Sequence, residues 1–333
     1  MNPGPETLHL DITNGCNTSC VTCWDHSPLL TTPRDPAWKS RQADPEGLVR
    51  IVSEAAALGC LRNVIVSGMG DPLTHPRALY LLSELKALHL RVTLISNMLA
   101  PSAAELPPSF ADTILVGIHA ADADGYRAFH PSGPENGWET LMNRLSARRR
   151  DGCHDRHVQV ICALNAPQLV PMIELADTFR AERVNFKLAS LARETEAVRI
   201  TDEQRRRLLA EWIPAAAERA DRLCVRHNLA TLRAQVEAGG AATAPIASVG
   251  CHMGDRYARI AVDGTVYYCC NTETAIGRLS DGQGFSELWR GQDWNGMRAR
   301  LARGEYFPGC ARCGKFEQNA KIAVKLRAAG ASR

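Results

Sequence analysis

No stretch of this 333-residue chain reaches the roughly 18 apolar residues that a membrane span requires. The opening Met1-Asn2-Pro3-Gly4-Pro5-Glu6 also lacks the basic and apolar regions of a secretory signal. The expectation is a cytoplasmic protein without a membrane partner. Charge of one sign is missing as well: 39 Lys plus Arg stand against 36 Asp plus Glu, a net +3. That balance gives no electrostatic argument for a nucleic-acid partner. The runs Arg148-Arg149-Arg150 and Arg205-Arg206-Arg207 fall in helix-patterned segments and read as solvated faces. Neither an internal repeat nor a low-complexity tract is present, and no dinucleotide-type glycine fingerprint follows the first apolar run. With 45% hydrophobic residues, the chain can build one large domain plus a small one.

Short β-rich runs alternate with helical patterns through the first two thirds. Residues 8–13, 63–67, 91–96, 113–118, 158–164 and 184–188 read as six parallel strands. Between the first two runs lies a marked helix, with Asp44 as N-cap, Pro45 at the first helical position, an apolar face of Leu48, Ile51, Val52, Ala55 and Ala56, and Gly59 as terminator. Further helices are expected near 76–89, 137–150, 168–179 and 202–220. Strand-helix alternation of this kind favours an α/β sheet of barrel type, in which the loops after the strands form the active site. The small, turn-prone residues 239–245 mark a boundary before a C-terminal unit.

What the chain does have is cysteine, twelve in all, clustered near both ends. In a reducing compartment this points to metal binding ahead of disulfides. Cys16, Cys20 and Cys23 follow the first strand in an x3, x2 spacing, directly after Asn14-Gly15. Three thiolates suit a four-iron cluster with one iron left open for a small molecule; half of a zinc site completed by a distant residue is the other reading of that spacing. The second set is Cys251, Cys269 at the end of a hairpin from Gly264, and the Cys310-Ala311-Arg312-Cys313 turn. Cys270 is an alternative to Cys269, and the set can close on an iron-sulfur cluster or a structural zinc. Cys60, Cys153, Cys162 and Cys224 stand alone and read as buried apolar thiols, any of which could donate a hydrogen atom near a substrate.

The segment from Leu8 to Cys23 resembles the cluster loop of radical S-adenosylmethionine (SAM) enzymes. In that family three cysteines hold a 4Fe-4S cluster whose open iron binds SAM, and an electron from the reduced cluster releases the 5'-deoxyadenosyl radical that takes hydrogen from substrate. Thr22 stands where the family usually has an aromatic residue, and Trp24 is the aromatic residue nearby for the adenine contact. Ser67-Gly68-Met69-Gly70-Asp71-Pro72 resembles the family's Gly-Gly-Glu-Pro loop, whose backbone and acid receive the SAM amino group. The strand ending Ser96-Asn97-Met98 is similar to the family's Thr-Asn-Gly ending, and His119, at the end of the fourth strand, is a candidate for SAM or substrate contact as well as for a plain structural role. Asn165 and Lys187 are weaker candidates on the same rim.

The C-terminal cysteines, with Ile276-Gly277-Arg278-Leu279 and Phe285-Ser286-Glu287-Leu288-Trp289 between them, resemble the SPASM/twitch extension of these enzymes. Asn319 occupies the position six beyond Cys313, where a full SPASM domain continues with cysteine, so the one-cluster twitch form is the better match. The resemblance therefore implies a partial (β/α)6 barrel over 1–200, a helical linker over 201–248 and an auxiliary 4Fe-4S unit over 249–333. It implies a radical SAM oxidoreductase or epimerase with an electron donor of flavodoxin or ferredoxin type. Oxidation at the auxiliary cluster, epimerisation through a cysteine, bond formation and decarboxylation are the open fates. Because the cysteine trio begins at position 16, a small-molecule substrate such as a sugar, aminocyclitol or nucleoside is expected ahead of a peptide. A two-cluster iron-sulfur protein without SAM chemistry is the alternative of a different class, and the loops at 68–71 and 96–97 argue against it.

Overall fold

The computed structural model describes residues 3–153, 155–269, 274–279 and 283–331. All six expected strands form: β1 Thr7–Asp11, β2 Asn63–Ser67, β3 Arg91–Ser96, β4 Thr113–Gly117, β5 Arg156–Ile161 and β6 Arg183–Leu188. They pair in parallel and in chain order. Each helical crossover therefore moves the chain one strand in the same direction, as in a barrel, with none of the reversal that creates a doubly wound sheet. Alternation along the strands divides the two faces. Leu8, Leu10, Val64, Val66, Val92, Leu94 and Val116 have no exposed surface and pack with Val52, Leu82 and Leu85 of the covering helices. The opposite positions, among them His9, Asp11, Ile65 and Thr93, face the lumen.

Helix Pro45–Ala57 starts where the sequence places it, with the Asp44 carboxylate accepting from the Gly47 N–H at 2.9 Å. The fifth strand begins two residues before the expected run and ends at Ile161, because Asn165 folds 162–165 into a turn: its Oδ1 accepts from the Cys162 N–H at 2.8 Å. The helix expected over 202–220 is interrupted. It runs Asp202–Arg207, widens to a π-turn over Leu208–Trp212 and resumes as Ile213–Leu223. Pro214 lacks the N–H that a regular turn would use there. Residues 201–248, expected as a linker, carry Leu208, Ile213, Ala216, Leu229, Leu232 and Val236 into one core with Ile173 and Phe186. The helix Ala123–Phe129 was not anticipated.

The sheet stays open on the β6 side, since β1 pairs in parallel with β7 (Tyr257–Ile260) instead of with β6. Antiparallel strands β8 (Thr265–Tyr267) and β9 (Ala275–Arg278) continue it to nine among the described residues. The C-terminal unit is thus an extension of the barrel sheet. It is also pinned by Glu54, whose carboxylate accepts from the Phe285 and Ser286 N–H groups at 2.9 Å each, capping helix Phe285–Arg290 from a neighbouring helix. Glu54→Ala leaves both donors without that partner and should cost about 1–3 kcal/mol in urea denaturation; no loss of stability would show the cap to be idle.

Candidate functional site

The cysteine trio sits in the loop after β1, on the rim where the strands end. Its backbone is fixed from three sides. Cys23 N–H donates to the Cys20 carbonyl at 3.0 Å, Val21 N–H to the Phe129 carbonyl at 3.0 Å, and Asn14 N–H to the Arg41 carbonyl at 3.0 Å. The Thr18 hydroxyl lies between two of the thiols, 3.5 Å from Cys16 Sγ and 4.0 Å from Cys20 Sγ, and the His26 N–H donates to Cys23 Sγ at 3.3 Å. Burial raises all three thiol pKa values, and proximity to Cys23 and Cys16 adds to the rise at Cys20. Three crowded thiols in this setting need bound cations to become thiolates, which is the condition an iron-sulfur cluster supplies. Among the described residues, no three His, Cys, Asp or Glu side chains converge tightly enough for one metal ion. A tetrahedral zinc would draw its sulfurs to about 3.8 Å of one another.

The loop after β2 packs directly on this loop. Gly70 N–H donates to the Thr13 carbonyl at 3.2 Å, and Asp71 N–H to the Gly15 carbonyl at 2.9 Å. A Cβ on Gly68 would lie 2.3 Å from the Thr13 oxygen, and one on Gly70 1.7 Å from the Gly15 oxygen. These glycines are therefore required by the cluster loop itself, whatever they also offer to a ligand. The Asp71 carboxylate is turned inward. It accepts from the Leu73 N–H at 2.9 Å, the Asn97 N–H at 2.6 Å and the Ser96 hydroxyl at 3.0 Å. Burial nevertheless dominates its acidity and lifts its pKa to about 6, against the opposing effect of these donors. Asn97 extends the link, its Nδ2 donating to Asn17 Oδ1 at 2.8 Å and Thr18 Oγ1 at 3.2 Å. Asp71, Ser96 and Asn97 thus tie β2, β3 and the cluster loop together. The backbone of 68–71 is left as the surface such a loop presents to a ligand.

His119 lies two residues past β4 with φ +65, and its Nδ1 accepts from the Val160 N–H at 3.1 Å. The ring proton is therefore on Nε2, and burial holds the pKa well below the usual histidine range. Asn165 is spent on structure, donating to the His119 and Val160 carbonyls at 2.8 Å each. Lys187 is exposed on the lumen side of β6, opposite buried Phe186 and Leu188. Trp24 is 44% exposed and reaches across the open side of the sheet, its indole N–H donating to the Ser190 carbonyl at 2.6 Å. The isolated cysteines differ from expectation: of the four, only Cys162 is buried, Cys60 and Cys153 are half-buried, and Cys224 is exposed at a left-handed helix end.

A group that sequence reading missed lies in the lumen between the two cysteine sets. Arg259, from β7 of the C-terminal unit, donates from Nε to Asp11 Oδ2 at 2.7 Å and lies with Nη2 2.8 Å from Met69 Sδ in the loop after β2. His9 bridges Tyr257 Oη at 2.6 Å and Ser67 Oγ at 2.5 Å. The signal was present as polar residues at alternate positions of an otherwise apolar strand, but their partner is 248 residues away.

The second cysteine set comes together as well. Cys251, Cys269, Cys310 and Cys313 line one small cavity with Met253, Tyr268, Phe307 and Asn319. Burial raises the Cys251 pKa to about 11, and Cys313 and Cys310 add to the effect. Asn319 is fully buried and accepts from the His252 N–H at 2.7 Å, bracing the loop that carries Cys251. Cys270, the alternative to Cys269, lies outside the described residues. The described cysteines are all free thiols.

Comparison with known proteins matches residues 10–165 to the radical SAM superfamily and residues 251–314 to the iron-sulfur cluster-binding SPASM domain. The chain is 22% identical to the AdoMet-dependent heme synthase of Methanosarcina barkeri, across 94% of this chain and 92% of that protein. Its fold is similar to that of Streptococcus suis SuiB bound to S-adenosylmethionine, with a TM-score of 0.66 at 14% identity over 94% of this chain and 72% of SuiB. It is similar in the same degree to anSMEcpe with bound AdoMet, with a TM-score of 0.66 at 14% identity over 95% of this chain and 85% of the other. The chain belongs to the radical SAM superfamily and is an enzyme of its SPASM-containing kind, with SAM and 4Fe-4S clusters as cofactors.

Proposed function

We propose that this enzyme oxidises or epimerises a small polar molecule, such as a sugar, aminocyclitol or nucleoside, with Cys16, Cys20 and Cys23 holding the SAM-binding cluster and Cys251, Cys269, Cys310 and Cys313 a single auxiliary one. The observation that carries this reading is the charged floor of the lumen, where Arg259 of the C-terminal unit meets Asp11 of the barrel and Met69 of the loop after β2. When bound, SAM and its cluster supply a radical that takes a hydrogen atom from substrate. The chain's own part is to hold the substrate. Asp11 keeps one carboxylate oxygen, Oδ1, buried and without a hydrogen-bond partner, a fit for a hydroxyl or amine donor. His119 offers an Nε2 donor and Lys187 a charge from the strands that follow. The relative matched nearly end to end is named as a heme synthase, which supports a small-molecule substrate ahead of a peptide.

Electrons would come from a flavodoxin- or ferredoxin-type donor. An open cleft of about 530 Å³, lined by Cys16, Asn17, Thr18, His26 and Lys39, brings solvent to the cluster loop and suits that approach. Peptide modification is the runner-up, since SuiB and anSMEcpe have been seen with peptides bound.

The test is deuterium transfer into 5'-deoxyadenosine from labelled sugars, aminocyclitols and nucleosides, run beside labelled peptides with the reconstituted enzyme. Transfer from a peptide alone would overturn the small-molecule reading. Arg259→Met should cost about 3 kcal/mol in urea denaturation by stranding buried Asp11. The double variant with Asp11→Asn should recover most of that stability without recovering deuterium transfer; full turnover in the double variant would remove the pair from the substrate site.

A further inference from the structure

The two ends of the six-stranded arc do not pair with each other, yet the loops that follow them are joined. β1 pairs with β7, and side chains occupy the other edge of β6: the Phe186 N–H donates to Asn228 Oδ1 at 2.7 Å and the Leu188 N–H to Gln235 Oε1 at 2.9 Å. The lumen therefore has a side opening between β1 and β6. At the rim this opening is spanned by residues 24–34, which leave the cysteine trio, and residues 189–198, which follow β6. The Trp24 indole reaches the Ser190 carbonyl from one side. From the other, Arg193 donates through Nη1 to the Trp24 carbonyl at 2.9 Å and through Nη2 to the Thr32 carbonyl at 3.3 Å, with Nη1 also 3.4 Å from Asp25 Oδ1. The Glu194 carboxylate accepts from the Thr31 N–H at 2.7 Å and from the Thr31 hydroxyl at 2.8 Å.

The base of 189–198 is fixed, whereas its tip is strained. Ala189 N–H donates to the Ile161 carbonyl and Ala163 N–H to the Val198 carbonyl, at 2.9 Å each, and Leu191 and Val198 pack with Val21 and Phe129. At the tip, Arg193 and Glu194 stand at φ +55 and +72, the left-handed region that a Cβ disfavours. Two such residues in succession persist only when contacts made elsewhere hold them. Among the described residues, every side-chain bond of the pair runs across the opening to 24–32. Arg193, Glu194, Thr31 and Thr32 are all exposed, so each of these bonds contributes little net stability. Strain and weak contacts thus oppose each other in one short tip, which is the condition for a catch that releases. Asp25 is buried but keeps Arg34 Nε at 2.6 Å, so release of Arg193 strands no charge.

We propose that residues 190–194 and 24–32 form a releasable strap across the side opening of the lumen, and that SAM enters and leaves past it. Arg193 and Glu194 are then positioning residues that hold the strap shut. The proposal rests on placing the SAM site at the cysteine trio, since the strap begins at Trp24, one residue after Cys23. The strap re-forms over bound SAM with the same bonds, so it sets the rates of exchange and leaves the equilibrium affinity alone.

The experiment compares Glu194→Ala and Arg193→Ser with the unaltered full chain, all reconstituted anaerobically and kept oxidised so that no SAM is cleaved. Iron content, stopped-flow SAM association and dissociation, and the equilibrium Kd for SAM are read. The expected result is equal iron, with both rate constants raised about three- to tenfold in each variant and Kd held within about twofold. Thr31→Val removes one of the same bonds from the other side of the opening and should raise both rates by a smaller factor. An unchanged association rate would overturn the proposal, as would faster dissociation alone, which would make the segment a support for bound SAM. Loss of iron in Glu194→Ala or Arg193→Ser would overturn it by making the segment a brace for the cluster loop. Unchanged rates in Thr31→Val beside altered rates in Glu194→Ala would confine the effect to 189–198 and overturn the strap as well. A parent chain that builds no cluster at the trio would instead overturn the ligand assignment, and this proposal with it.

Discussion

Gly70→Ala should abolish SAM cleavage and most of the iron bound at the N-terminal loop, a larger effect than one methyl group usually has. The new Cβ would stand 1.7 Å from the Gly15 oxygen, 2.3 Å from the Gly15 carbonyl carbon and 2.7 Å from the Asn14 carbonyl carbon. All three are backbone atoms, so no side chain can swing aside. Relief requires one of the two loops to move, and Gly15 is the residue before Cys16. The same displacement breaks the 2.9 Å bond from Asp71 N–H to the Gly15 carbonyl and loosens the carboxylate that joins Leu73, Ser96 and Asn97. Overpacking typically costs about 1–3 kcal/mol, enough to separate two loops while the sheet stays folded. Gly296→Ala is the control. It lies in helix Gln292–Ala302 with nothing within 4 Å of the added Cβ, and should stabilise by up to about 1 kcal/mol. Iron analysis and reductant-dependent 5'-deoxyadenosine formation check both, and normal cleavage by Gly70→Ala would mean that the loops are not held in this register.

Single cysteine changes should divide the enzyme into two halves of its chemistry. Cys20→Ala removes the middle thiol of the trio, the one whose pKa is raised by burial and further by both neighbours, and should end SAM cleavage altogether. Cys310→Ala opens the cavity that Cys251, Cys269 and Cys313 also line, and should lower iron from about eight to about four per chain while reductant-driven SAM cleavage persists without product formation. The contrast arises because the two sets sit at opposite ends of the β1–β7 pair, so losing one leaves the other's backbone supports in place. Retention of all the iron in Cys310→Ala would exclude it as a ligand. Iron reduced to about four per chain in the unaltered protein would exclude an auxiliary cluster.

The elements were legible where local signals suffice. Val and Ile runs and the Asp44-Pro45 start each act within a few residues, and both reappear as expected. The role of Asp71 was less legible. An acid in a glycine loop reads as a partner for an ammonium, yet its oxygens are taken up by Leu73, Ser96 and Asn97, because burial at that depth demands donors and the next strand end provides them. The Cys224 thiol reads as apolar and buried, but a left-handed helix end turns it to solvent.

By itself, then, the sequence determined the parallel six-stranded order, the two cysteine sets and the chemistry they announce, since spacing and periodicity are properties of neighbours along the chain. Only the tertiary structure decided that β7 joins the barrel beside β1, that Arg259 therefore enters the lumen to meet Asp11 and Met69, and that the Phe129 carbonyl meets the Val21 N–H of the cluster loop. Those placements depend on which strand edge remains unpaired and which polar atoms remain unsatisfied after packing. Neither can be known until the sheet and its covering helices are assembled.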